Sequence, residues 1–237
     1  MKILALETSA KAVSAAVAED GNILCSRFAD EGQTHSVTMM PMLDEMLSAA
    51  ALTMDDIDAV AVSHGPGSFT GLRIGVSAAK GLAWAKDLPC CGVSTLEAMA
   101  ENARHFEGLV IGAMDARRHQ IYNALFLCHG GEIARLTPDR AIGLAELSAE
   151  LKNRPEPKLV VGDGADLCYT YLSENGISCR TLPGKQGLQS AEGVAAVACA
   201  MAVQGRFVSP QELTPVYLRL SQAERERLAK GLPITLG

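Results

Sequence analysis

The 237 residues include 27 acidic and 21 basic side chains for a net charge of −6, with 48% hydrophobic and only 4% aromatic residues. That apolar content excludes a disordered chain, and the length suits one large domain or two lobes of about 100 residues each. The cations are dispersed along the chain, so it lacks the concentrated basic footprint of an autonomous nucleic-acid binder. If RNA is involved, another subunit is expected to make most of the backbone contacts.

No apolar run reaches the roughly 18 to 20 residues of a membrane span, and Met1 to Leu6 leads into a strand, so a cytoplasmic protein without membrane contact is expected. The seven cysteines form an odd set with no C-x-x-C spacing, which argues against a disulfide framework and a zinc site.

Three extended runs open the chain, Lys2 to Leu6, Ala12 to Ala18 and Asn22 to Phe28, the last two joined by the hairpin signal Asp20-Gly21. An amphipathic helix follows to about Leu52, with Met39, Leu43, Met46, Leu47 and Ala50 at helical spacing and Pro41 expected to bend it or mark its start. Ile57 to Val62 reads as a strand, then the turn His64-Gly65-Pro66-Gly67-Ser68 enters a helix from about Phe69 to Lys86. A strand around Cys91 to Val93 and a helix from Thr95 to Arg104 complete the first half.

The second half repeats that order. Gly108 to Met114, Gln120 to Leu127 and Glu132 to Leu136 are expected strands, with Gly130-Gly131 as a turn. Leu144 to Leu151, Ala165 to Asn175 and Ser190 to Gln204 are expected helices, and Lys158 to Val161 and Ile177 to Leu182 further strands. The tail from Glu224 to Gly237 reads as a solvated face. Two copies of three meandering strands followed by alternating helices and strands match a two-lobed α/β fold of the actin, Hsp70 and sugar-kinase (ribonuclease H-like) type. The expected lobes are 1–105 and 106–237, with the helix at 190–204 packing back on the first. Such folds hold nucleotide phosphates between lobes on Gly-rich turns at helix N-termini.

Four segments carry a more specific likeness: Ile3-Leu4-Ala5-Leu6-Glu7-Thr8-Ser9, His35 before a helix, Gly65-Pro66-Gly67-Ser68-Phe69-Thr70-Gly71-Leu72-Arg73-Ile74-Gly75, and Cys91-Gly92-Val93-Ser94-Thr95-Leu96. They resemble the TsaB (YeaZ) family, bacterial partner subunits in tRNA threonylcarbamoyladenosine synthesis, densely in the first lobe. In the second the likeness runs loosely through Met114-Asp115-Ala116-Arg117 and Pro215-Val216-Tyr217-Leu218-Arg219. The related catalytic subunits, TsaD, follow E-T-S with an acidic pair, where this chain has Ala10, Lys11 and Ala12. They carry two histidines one helical turn apart, where alignment on Gly92-Val93 places Thr95 and Met99, neither a replacement for imidazole. The five histidines show no ligand spacing, so neither a metal nor a catalytic residue is expected.

What remains of a nucleotide cleft would be Thr8, Ser9, Gly65, Gly67, Asp115, Gly162 and Gly164. The bulky Asp115-Ala116-Arg117-Arg118-His119 turn is a poor phosphate cradle, whereas Gly162-Asp163-Gly164-Ala165, before a helix, suits a Gly-rich turn of the adenosine-binding kind. No cofactor is expected, with weak nucleotide binding left open.

Gly67, Gly71, Gly75, Ala79 and Ala83 recur every four residues and make a groove along one helix face. Periodicity does not say whether that face meets the protein's own sheet or a partner. Met39, Met40, Met42 and Met46 by themselves read as core filling, though Met-rich surfaces also adapt to partners. The resemblance implies the second reading, a helical bundle with a TsaD-type subunit. The interface would comprise Met39, Met40, Leu43, Met46 and Leu47 on one helix and Leu72, Gly75, Val76, Ala79 and Ala83 on the other. It also implies a TsaE-type ATPase in a larger complex, homodimerisation through the same helices, and tRNA held mainly by the partner. The alternative is a metal-dependent glycoprotease or peptidase, or an ATP-using kinase-like enzyme, of the same fold.

Overall fold

A computed structural model describes residues 1–30, 34–117, 119–220, 227 and 230–231. The expectation for the tail beyond Glu224 lies almost wholly outside the described residues.

The first sheet opens with β1 (Lys2–Glu7), β2 (Val13–Glu19) and β3 (Asn22–Ala29). Asp20 and Gly21 take φ of 50° and 86°, the paired positive values of a two-residue hairpin turn. Next come α1 (His35–Ala49), β4 (Ala59–Gly65), α2 (Phe69–Ala85), β5 (Cys90–Ser94) and α3 (Thr95–Glu101). Pro41 lies inside α1 and is not its start. The sheet runs β3-β2-β1-β4-β5, with β1, β4 and β5 parallel and β2 antiparallel to both neighbours. β1 is apolar residue after residue because both of its faces are covered.

The second sheet contains β6 (Gly108–Asp115), β7 (Gln120–His129), β8 (Glu132–Arg135), β9 (Arg140–Gly143), β10 (Lys158–Val161) and β11 (Arg180–Thr181), with α4 (Leu144–Leu151) and α5 (Ala165–Glu174) between them. Its path β8-β7-β6-β10-β11 repeats the order of the first sheet, so the halves are structural duplicates. β9, which pairs with β7, has no counterpart among the expected strands. The expected strand from Ile177 shrinks to two residues because the Ile177 amide donates to Leu172 O and closes the end of α5.

α6 (Ala191–Val203) leaves the second lobe and packs on the first sheet. Its Gly193 lies against the carbonyl of Ala98 in α3, and the Ala191 amide donates to Ser14 Oγ at 2.9 Å. α6 thus belongs by packing to the first lobe although it follows the second in the chain. The layers are therefore α1 and α2, the first sheet, α6 with α3, the second sheet, and α4 with α5, with apolar cores between them.

Candidate functional site

The Gly-rich turn is built to bring α2 against the end of β1. Gly65 has φ +137° and precedes a cis peptide to Pro66. A Cβ on Gly67 would stand 2.6 Å from Ser9 O, and one on Gly71 would run into Thr8 O. Ser68 N donates to Ser9 O at 2.7 Å, Ser68 Oγ accepts from Gly71 N, and Thr8 Oγ1 donates to Gly71 O at 2.8 Å. A Cβ at Gly75 would meet Thr8 Oγ1. The four-residue stripe of small side chains is thus occupied by the protein's own β1–β2 turn and sheet.

This corrects the expected interface. Leu72, Gly75, Val76, Ala79 and Ala83 of α2, and Met39, Leu43, Met46 and Leu47 of α1, are all buried in the first lobe's own core. Of the ten expected residues only Met40 is exposed, at 44%. Both helices are amphipathic about a sheet that sequence periodicity cannot see, so the apolar stripe faces inward.

The outward faces are different residues at the same spacing. α1 presents Val37, Met40, Asp44 and Ser48, and α2 presents Thr70, Arg73, Ser77, Gly81 and Trp84, all exposed. Val37 and Trp84 are each 62% exposed. Ile74, Ala78 and Leu82 are partly buried beside this face. Gly81 has open space where a Cβ would stand. A helix-interior glycine costs roughly 1 kcal/mol against alanine, and here nothing inside the chain requires it.

Between the lobes lies a cleft of about 580 Å³. Ser9, Gly67 and Asp115 line it, together with Asp163, Tyr122 and the segment Val216 to Leu220. Thr8, Gly65, Gly162 and Gly164 do not. Thr8 is bound to α2, Gly65 is covered by the Val216 carbonyl, and Gly162 and Gly164 back onto Ala113 and Met114 in β6. At the α2 N-terminus the Ser68 and Gly71 amides already have internal acceptors.

The charges in the cleft are mixed. Burial raises the Asp163 carboxyl, with Asp115 adding to the rise, although Gln189 Nε2 donates to Asp163 at 2.8 Å. Among the rim cations Lys11 pairs with Asp30 and Arg219 donates to Ala116 O, and Arg117 also lines the cleft. A polyphosphate would therefore face two acidic side chains as well as the Arg117 side chain. Below the cleft Glu7 is 1% exposed; its Oε1 accepts from Ser9 N at 2.5 Å, and its Oε2 has no partner. Burial raises its pKa, against the smaller opposing pull of the Ser9 amide and the nearby Ser9 and Ser63 hydroxyls.

Thr95 and Met99 are fully buried, with the Met99 sulfur against Gly162, and so face the core. His35 Nε2 lies 2.8 Å from Ala10 O, and His129 pairs with Glu107 on the surface. Among the described residues no three His, Cys, Asp or Glu side chains gather where a metal could sit. No described helix is long and apolar enough to cross a membrane. All seven cysteines are free, and burial pushes the Cys168 thiol up to about 12.

Sequence reasoning misses the outward faces of α1 and α2, because their polar and small residues carry no motif. It names Glu7 and Asp163 only as members of motifs, without the desolvation that raises both carboxyls, and it misses the role of Val216 to Arg219, which shows in the sequence only as a loose family likeness.

A family model described as TsaD, tRNA N6-adenosine threonylcarbamoyltransferase, matches residues 29–178. The chain is 32% identical over 224 residues to the tRNA threonylcarbamoyladenosine biosynthesis protein TsaB of Bacillus subtilis strain 168, covering 94% of this chain and 96% of the relative. A Pseudomonas aeruginosa structure described as an uncharacterized protein with similarity to peptidase YEAZ superposes with a TM-score of 0.80 at 27% identity, covering 92% of this chain and 99% of that one. Component A of the Acidaminococcus fermentans (R)-2-hydroxyglutaryl-CoA dehydratase shares the fold, with a TM-score of 0.51 at 14% identity over 86% of this chain and 99% of that one.

Proposed function

Because the chain belongs to the TsaB (YeaZ) family within the wider TsaD group, we propose that it serves tRNA threonylcarbamoyladenosine biosynthesis by binding and activating or stabilising a TsaD-type threonylcarbamoyltransferase. In this reading it performs no catalytic step, a TsaE-type ATPase joins the pair, and the partner holds most of the tRNA. The observation that carries it is Gly81. This glycine sits on the outward stripe of α2 beside Trp84, where it weakens the helix and leaves room that the chain itself does not fill. Close approach of a partner helix would offset that cost, and Val37 and Met40 on α1 extend the apolar area available to it. A second copy could use the same face, so homodimer and heterodimer would compete.

The enzyme alternative has less support. A metallopeptidase needs a metal-bound water and a kinase needs carboxylates holding Mg²⁺ at the phosphates. Thr95 and Met99 face the core, and the α2 amides are partly committed. Asp115 and Asp163 are the residues such a reading would have to use.

The test is to mix the chain with a TsaD-type protein and measure the mass of the product and the tRNA modification rate. Gly81→Arg and Trp84→Glu, both at exposed positions, are expected to abolish the complex while circular dichroism stays unchanged. A complex and a modification rate untouched by both substitutions would sink the docking face. Stoichiometric zinc, or metal-dependent peptide cleavage by the pure chain, would favour the alternative.

A further inference from the structure

The stretch from Val208 to Leu220 crosses the molecule without regular structure, yet it is tied down along its length. Val208 exchanges both backbone hydrogen bonds with Cys90 at 2.9 Å, extending the first sheet beyond β5. Leu213 is 2% exposed in the core beneath α2, and Lys80 Nζ donates to the carbonyls of Gln211 and Leu213 at 3.3 and 3.1 Å. Val216 N donates to His64 O at 2.7 Å, which lays the segment across the Gly65 turn. There Tyr217 stacks on Phe69 with centroids 4.5 Å apart, and the Arg73 guanidinium covers Phe69 at 4.1 Å while its Nε donates to the Tyr217 hydroxyl at 3.1 Å.

Two residues later the segment reaches the other lobe. Arg219 Nη1 donates to Ala116 O at 2.5 Å, and Ala116 belongs to the hairpin between β6 and β7. Five consecutive residues, Val216 to Leu220, form one wall of the cleft. A second tie also joins the lobes: Ser94 Oγ donates to Asp139 Oδ2 at 2.6 Å, and Arg135 bridges Glu97 at 2.8 Å and Asp139 at 2.6 Å.

We infer that residues 208–220 are a strap that fixes the angle between the lobes, with Tyr217 and Arg219 as its two positioning residues. Cleft enzymes that close on a substrate need a hinge of few residues and weak contacts between the moving bodies. Here the chain crosses the cleft and fastens to both sides, so the cleft is a braced joint. The aromatic stack holds the strap on α2, and the Arg219 hydrogen bond carries its hold to the second sheet. The strap belongs to the chain by itself, whether or not a partner uses α2.

Hydrogen exchange and small-angle scattering on the full chain and on Arg219→Ala, Tyr217→Ala and Tyr217→Phe test it. Both alanine variants are expected to speed exchange by about tenfold or more in the peptides spanning 64–72 and 113–117. They should also enlarge the radius of gyration, while β1 and the first half of β6 exchange at the wild-type rate and so report an intact fold. Tyr217→Phe keeps the stack and should stay near wild type. If the alanine variants loosen only residues 214–220 and leave the 113–117 peptide and the radius of gyration unchanged, the segment is a passenger and braces nothing. Should Tyr217→Ala fail to fold, Arg219→Ala alone decides between these outcomes.

Discussion

Glu7 ends β1 with one carboxyl oxygen bound to the Ser9 amide and the other unpartnered among the buried hydroxyls of Ser9 and Ser63. Burial raises its pKa above 4.5, so the folded protein keeps the proton over a range where the unfolded chain loses it. The resulting stability is complete below pH 4.5 and is lost as pH rises through the folded value. Each tenfold difference in proton affinity between the folded and unfolded chain is worth about 1.4 kcal/mol. Glu7→Gln is expected to remove that loss and raise the urea midpoint at pH 7, with little change at pH 4. His64 works the other way. Burial lowers its pKa below 6.5, against the opposing pull of a Thr214 backbone hydrogen bond and Asp139. The unfolded chain takes up the proton first, so the His64 contribution present above pH 6.5 is lost as pH falls through the folded value. Melting temperatures of wild type and His64→Gln between pH 7.5 and 5.5 should show the wild type losing more.

α2 holds two glycine environments one face apart, and they predict opposite outcomes. Gly71 lies on the Thr8 carbonyl, so Gly71→Ala forces the helix off the sheet and should cost about 1 to 3 kcal/mol in chemical denaturation. Gly81 opens on solvent, so Gly81→Ala should stabilise the isolated chain by up to about 1 kcal/mol. Equal effects at the two sites would contradict the orientation of α2. The same orientation decides which charges are informative. Leu72→Asp and Met46→Asp put an unpaired carboxylate into a closed core and should unfold the chain, read as loss of the cooperative melt, so they say nothing about a partner. Trp84→Glu leaves the core alone.

At the scale of the molecule the two sheets repeat one topology, but the cleft between them is not equipped alike on both sides. The first lobe contributes a helix N-terminus whose Ser68 and Gly71 amides have internal acceptors, and the second contributes Asp115 and Asp163. Millimolar Mg-ATP is therefore expected to move the melting temperature by less than about 1 °C, because only ligand well above its Kd stabilises measurably. A shift of several degrees, abolished by Asp115→Ala, would restore a nucleotide site. α6 shows why the lobes are hard to separate by sequence. It follows the second sheet in the chain, yet its Val194, Ala195, Val197 and Ala198 pack on the first.

The sequence alone determined most of the elements and their order, because turns such as Asp20-Gly21 and Gly130-Gly131 and the apolar periodicity are local, whereas β9, which forms only against β7, carried no such signal. It also pointed to the family, through the likeness carried by the Gly65 to Gly75 string and its three companion segments. Tertiary structure decided everything that depends on direction. The small-residue stripe of α2 was legible as a close-packing surface, but only the position of Thr8 and Ser9 showed that the protein's own turn fills it. Met39 and Met46 looked the same as Met40 in sequence until the sheet covered two of them and left the third in solvent. A helix repeats every 3.6 residues whichever way it is turned, so periodicity marks a face, and only the packed neighbours say what that face meets.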